Sequence, residues 1–339
     1  MPTGRMRIDP TDRRDPPSDD PALPLARESR REAERTLEPG RHVDASSAEA
    51  ARLYAQNAVS TRGRVDASGG PAFNDRILYV GMNGKDGQCD REAASLRYGG
   101  NVVIEHGERS VGADHARVGA RVVDLATDEG AAALAKSLGL PDAQTAAIAK
   151  AIRDAHDGSR DELAGIARVW ARAEQGHDIP SRVVISGHCF GNAVWDGDGQ
   201  LGELEFSSIR ALAAAMPRAA ARIEDVMISA CSSGFDGASA TGARFPLSAW
   251  KDMFPSLKTA WGYGNEHTSP TGAQAIGHIA AWANATRGRV QSLDGKKSVE
   301  AFFAAIKRAA PDPSKIQAPQ LAGNVSVWTA EQGYVPGKD

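Results

Sequence analysis

The stretch "RVVISGHCFGN", residues 182–192, decides how this chain is read. Its Val-Val-Ile run, stopped by Gly187, is the pattern of a short strand buried on both faces. Two chemistries then compete for the residues that follow. Gly-His-Cys-Phe-Gly satisfies a Gly-x-nucleophile-x-Gly elbow with Cys189 in the nucleophile's place. Alternatively the reactive residue is His188, one position earlier, and the nucleophile lies elsewhere in the chain.

A second strand end answers that question. "DVMISACSSG" (225–234) repeats the design: an apolar strand, a reactive side chain directly after it, then a turn containing Gly. Were the two strands neighbours, His188 and Cys231 would stand side by side, the geometry that a base and its thiol require. The elbow reading asks for more than this stretch provides. An elbow must feed straight into a helix whose N-terminus helps hold an oxyanion. Here "NAVWDGDGQLG" follows, rich in Gly and Asp and without a helical stripe. The acid and histidine of a triad are also needed downstream; His267 could serve as the histidine, but no acid stands at a strand end.

Outward from these two strands the chain reads as an alternation of strands and helices. "RILYVGMN" (76–83) is a buried strand, "DREAASLRYGG" a helix ending at Gly, and "NVVIEHG" (101–107) a second strand. "ARVVDLA" is a further strand or β-arm, and three helical stretches run between about 128 and 175. In the last of these, Ser159 with Glu162 reads as a capping box. Leu163, Ile166, Ala167, Trp170 and Ala171 form one apolar stripe, and Gly176 is the stop. A helical run from Ser208 to about Ala221 precedes the strand "DVMISA". "LKTAWGYG" (257–264) is one more strand and "TGAQAIGHIAAWANATRG" one more helix. This rhythm predicts an α/β fold, a three-layer αβα sandwich around a mostly parallel sheet, whose chemistry sits beyond the strands' C-terminal ends.

The two ends of the chain read differently. Residues 1–40 hold seven of the 18 prolines, eight Arg and nine Asp or Glu. That composition predicts a disordered leader over 1–70, broken by one short helix at about 46–60. A catalytic domain over 71–310 and a C-terminal extension over 311–339 complete the expected organisation.

The strand-end His, the "ISACSSG" strand end and the 43 positions between them resemble the caspase-like cysteine peptidases: caspases, metacaspases, legumain-like and gingipain-like enzymes. "ACSSG" is similar to the Ala-Cys-x-Ser-Gly form of the legumain-like members, and the resemblance spans about residues 74 to 290. It implies a caspase-like fold and a Cys231–His188 dyad for peptide-bond cleavage. Backbone N–H groups of Cys231 and of the residue after His188 would receive the oxyanion. One departure stands out, because the family has Gly directly after the His and this chain has Cys189. The loop after the first strand, "GKDGQCD", occupies the place where the family pairs with the substrate side chain before the cut. Asp86 and Asp90 there imply cleavage after Arg or Lys. Arg244, in the segment "SSGFDGASATGARF", is the expected site of any self-cleavage. The elbow reading corresponds instead to a dienelactone-hydrolase-like α/β-hydrolase with Cys189 as nucleophile. A third alternative is a catalytically dead caspase-like binding module.

Composition narrows the partners. A net charge of −3 and a pI near 6.3 give no electrostatic case for nucleic acid or an anionic membrane. The sequence has no stretch of 18 consecutive apolar residues, so no membrane insertion is expected. Three cysteines without Cys-x-x-Cys spacing suit reduced thiols. The expected setting is the cytoplasm, or export as an effector or toxin without a conventional signal peptide, and the expected partner is a protein or peptide substrate. No cofactor is required. "DGDGQLGELE" (196–205) fits positions 3 to 12 of an EF-hand loop, with Glu205 at the bidentate end, which makes calcium the one candidate ion. Val194 at position 1 cannot ligate and no entering helix precedes it, so the stretch reads as a β-hairpin or loop flanking the active site.

Overall fold

A computed structural model describes residues 76–82, 88–98, 100–105, 111–189, 192–195, 202–234, 245–263, 278–279, 282–283, 286 and 325–335. The leader 1–70 with its helix at 46–60, Asp86, His267, the loop 196–201 and Arg244 lie outside the described residues.

The strands that read as continuous apolar runs form one sheet. β1 (Arg76–Gly81), β2 (Val102–Glu105), β5 (Arg182–Ser186), β9 (Asp225–Ser229) and β10 (Thr259–Tyr263) run parallel, in the order β2-β1-β5-β9-β10. All five residues of β5, of β9 and of β10 are buried, as expected for parallel strands covered on both faces. β11 (Val325–Thr329) and β12 (Gly333–Val335) add antiparallel to the edge at β10, giving seven strands. Residues 325–335, expected to be part of an extension, therefore belong to the central sheet.

The order explains the layers. From β1 the chain moves to β2 on one flank and later to β5 on the other, and right-handed crossovers in opposite directions put their helices on opposite faces. α1 (Gln88–Tyr98) covers one face with Cys89, Ala93 and Leu96, together with buried residues of 278–283. α2 (Asp128–Ser137), α3 (Asp142–Arg153), α4 (Arg160–Glu174) and α5 (Phe206–Ala215) cover the other, in the larger apolar cluster. The three expected helices between 128 and 175 are present, and the α4 stripe from Leu163 to Ala171 is buried throughout its named positions. Gly176, at φ +89°, ends that helix in a conformation that favours glycine.

Two local expectations are corrected. Ser159 makes no capping bond to α4; its hydroxyl donates to His156 O at 2.9 Å. Asp114, distant in sequence, caps the helix instead: its carboxylate accepts from Gly158 N at 2.6 Å and Arg160 N at 3.2 Å, while Asp161 Oδ1 accepts from Asp114 N at 3.0 Å. Asp114 itself sits at φ +59° before β3 (His115–Val118), which pairs with β4 (Arg121–Asp124) as a β-arm. The helix expected from Ser208 to Ala221 starts earlier, at Phe206, and breaks at Met216, because Pro217 opens a separate short helix, α6 (Pro217–Ala220). No helix among the described residues is long and apolar enough to cross a membrane.

Candidate active site

β5 and β9 are neighbours, and their register pairs Ile185 with Ile228 and Ser186 with Ser229. One further link, Gly187 N to Ser229 O at 3.3 Å, ties the strand ends together. His188 and Cys231 each stand two residues beyond the last registered pair. Adjacent strands lie ~4.8 Å apart, so the two residues have equal offsets past the last registered pair of neighbouring parallel strands. Both are half-buried. His188 also follows β5, which with β1 borders the point where the chain leaves neighbouring strands in opposite directions, the crevice in which open α/β sheets bind ligands.

The turn that presents Cys231 is tightly pinned. Ser232 follows at φ +53°, a left-handed conformation unusual for a residue other than glycine. Ser233, buried, sets its hydroxyl 2.7 Å from Ala230 O and accepts from Tyr263 N at 3.2 Å. Gly234 N donates to Tyr263 O at 2.8 Å, and the Tyr334 hydroxyl donates to Gly234 O at 2.9 Å. Glycine is required here by close approach: a Cβ on Gly234 would come within 2.6 Å of the Gly262 backbone, and one on Gly262 within 2.7 Å of Ser233.

Beneath the strand ends lies a buried polar layer that the sequence reading did not identify. The Tyr79 hydroxyl donates to Glu92 Oε2 at 2.7 Å, and Glu92 is fully buried at an apolar-stripe position of α1. The Tyr263 hydroxyl lies 3.0 Å from His278 Nδ1. Burial first, then the charge of Glu92, hold both phenols well above their usual range, and Cys231 adds to the effect on Tyr263. Burial pushes His278 down to about 4, and its Nε2 makes no hydrogen bond. The hydroxyls of Ser186 and Ser229 face Tyr79 and Tyr263 but stop short of well-formed hydrogen bonds. His278, read from sequence as structural, is therefore a buried neutral ring that supports the floor of the site.

After His188 the chain folds into a second, small sheet. β6 (His188–Cys189), β7 (Ala193–Trp195) and β8 (Glu203–Glu205) run antiparallel, pairing His188 with Trp195 and Trp195 with Glu203. Cys189 is 6% exposed and packs in the larger core with Val194 and Leu204. It belongs to a hairpin strand and not to the mouth of a helix, so the geometry that an elbow nucleophile needs is missing at this position. Glu205 ends β8 and is the residue before α5, where it accepts from the Ser207 hydroxyl at 2.8 Å. β7 and β8 thus pair as the arms of a hairpin whose loop lies outside the described residues. No cluster of three or more metal-ligating side chains occurs among the described residues.

Asp90 sits exposed on the first turn of α1, the helix that follows β1 at the same edge of the sheet. Comparison with protein-family models, with curated proteins and with solved structures gave no match. Trp195, Glu203 and Glu92 all escaped the sequence reading. Two- and three-residue strands carry too little periodicity to declare a face, and a Glu in an apolar stripe reads as a solvated helix position.

Proposed function

We propose that the protein is a cysteine endopeptidase of caspase-like architecture acting through a Cys231–His188 dyad. The register of Ser186 with Ser229 carries this reading, since it gives a thiol and an imidazole equal offsets on neighbouring parallel strands. Cys231 Sγ attacks the scissile carbonyl as a thiolate, and His188 protonates the leaving nitrogen as the C–N bond breaks. The acyl half stays on sulfur as a thioester. His188 then takes a proton from water, whose oxygen displaces the thiol. The N–H groups of Cys231 and Cys189 are the candidate oxyanion donors, each contributing about 3 kcal/mol in comparable sites.

For the residue before the cut we propose Arg or Lys, read by Asp86 and Asp90 in the loop and first helical turn after β1. The burial of Cys189 in the core favours the dyad over the elbow. A peptide library with mass-spectrometric readout, run on wild type and Cys231→Ala, tests the proposal. Cleavage after basic residues that disappears in the variant supports it, and cleavage that survives in Cys231→Ala but is lost in Cys189→Ala overturns it. Cleavage confined to positions after Asp would leave the dyad and reject the basic preference.

A further inference from the structure

Directly opposed residues of an antiparallel pair share one face of the sheet. His188, Trp195 and Glu203 therefore form a single row across β6, β7 and β8. The adjacent row of Cys189, Val194 and Leu204 is buried at 6%, 0% and 0% exposure. That burial turns the first row outward, and all three of its members are half-buried. The Trp195 indole lies against the His188 imidazole, with ring centroids 4.9 Å apart and planes tilted by 33°.

The direction of this row follows from Gly187. A Cβ there would meet Val194 Cγ1 at 2.6 Å, Trp195 O at 2.8 Å and Met82 Cβ at 3.0 Å. Met82, Cys189, Val194 and Leu204 share the larger apolar cluster, so the small sheet covers that face of the central sheet, opposite the face covered by α1 with Asp90 on its first turn. The row from His188 to Trp195 and Glu203 therefore leads away on the side opposite Asp90. In the reaction proposed above, the acyl half stays on Cys231 and the amine departs past His188. The residues that follow the cut must run along this row.

We infer that Trp195 and Glu203 form a leaving-group-side subsite for a cationic side chain, Lys or Arg, in the first or second residue after the cut. The indole offers its π face to the cation and the carboxylate supplies the opposite charge. The inference rests on the endopeptidase reading for its orientation. It is independent of the Asp86 and Asp90 proposal, which concerns the residue before the cut.

The test has two arms. In the first, peptides with one fixed acyl half and Lys, Ala or Glu after the cut are compared by kcat/KM. Lys should exceed Ala by roughly tenfold, the preference should collapse to within about twofold in Glu203→Gln, and Glu203→Lys should favour the Glu peptide. A wild-type ratio near one, or an unchanged ratio in Glu203→Gln, overturns the subsite. In the second arm, full-length Cys231→Ala protein is titrated with Lys-Gly-Gly-amide and Ala-Gly-Gly-amide, followed by calorimetry. Tighter binding of the Lys peptide that is lost on Glu203→Gln supports the subsite, and equal binding of the two peptides overturns it. Should wild type cleave no peptide and Cys231 resist a thiol-directed peptide probe, the endopeptidase reading fails, while the binding arm still decides the subsite.

Discussion

Ser186 and Ser229 are direct partners across β5 and β9, and each stands two residues before a member of the proposed dyad, His188 after one strand and Cys231 after the other. The two remaining cysteines are buried: Cys89 is 1% and Cys189 6% exposed. A thiol-directed peptide probe should accordingly add one mass increment to wild type and none to Cys231→Ala. Peptide hydrolysis should fall by about 10⁴-fold or more in that variant. Cys189→Ala should keep the label and most of the rate, and lose about 1–2 kcal/mol of stability through the vacancy in its core.

Gly187→Ala should damage both stability and rate. The added methyl would collide with Val194 Cγ1 at 2.6 Å and Trp195 O at 2.8 Å, pushing β7 away and with it the indole that backs the His188 ring. A loss of about 1–3 kcal/mol in denaturant unfolding is expected. A lowered kcat should accompany it, with probe labelling of Cys231 retained because the turn at 231–234 is untouched. Unchanged kcat would separate β7 from the positioning of His188.

Asp225 is buried beside Thr259, whose hydroxyl donates to it at 2.5 Å. Burial outweighs that hydrogen bond and the nearby Arg182, and pushes the carboxyl up from 3.8 to about 7. A raised carboxyl pKa stabilises the fold at low pH, and that contribution is lost as pH rises from about 4 to about 7, by about 2–4 kcal/mol in all. Asp225→Asn keeps an acceptor for Thr259 and has no proton to lose. Its stability relative to wild type should therefore rise across that window, as read by urea unfolding at pH 5 and pH 8.

His278 acts in the opposite sense over nearly the same range. Its pKa is lowered from 6.5 to about 4 by burial, so its contribution is present above 6.5 and lost as pH falls toward 4, by about 3 kcal/mol. In wild type the two limbs offset one another. His278→Gln, which can still bond the Tyr263 hydroxyl, should remove the acid-side loss and leave a profile that declines with rising pH. A profile identical to wild type would mean that the ring is not buried neutral.

The N-terminus of α4 should depend on Asp114 and little on Ser159. Asp114→Ala removes two capping bonds and places Ala at φ +59°, costing about 2 kcal/mol or more in thermal unfolding. Asp114→Asn, which tolerates that backbone and keeps an acceptor oxygen, should lose less than half as much. Ser159→Ala should cost less than Asp114→Ala; the reverse order would restore the local capping box.

By itself the sequence determined the elements whose pattern is local. Val183–Ile185, Val226–Ile228 and the stripe from Leu163 to Ala171 declare their strands and helix because burial imposes a period on neighbouring residues. It also put His188 and Cys231 at strand ends, where α/β sheets keep their chemistry. Pairing is not local, and only the tertiary structure decided it. That β5 lies beside β9 with Ser186 opposite Ser229, that Asp114 reaches across 44 or more residues to cap α4, and that residues 325–335 complete the sheet all depend on contacts between distant segments. The same holds for Cys189. Its neighbours in sequence suggest a nucleophile, and pairing with Val194 turns it into the core and leaves His188, Trp195 and Glu203 in a row facing outward. A one-residue change of register would have exchanged those two faces, so strand pairing, and not the motif, decides which residue of "GHCFG" is buried and which faces outward.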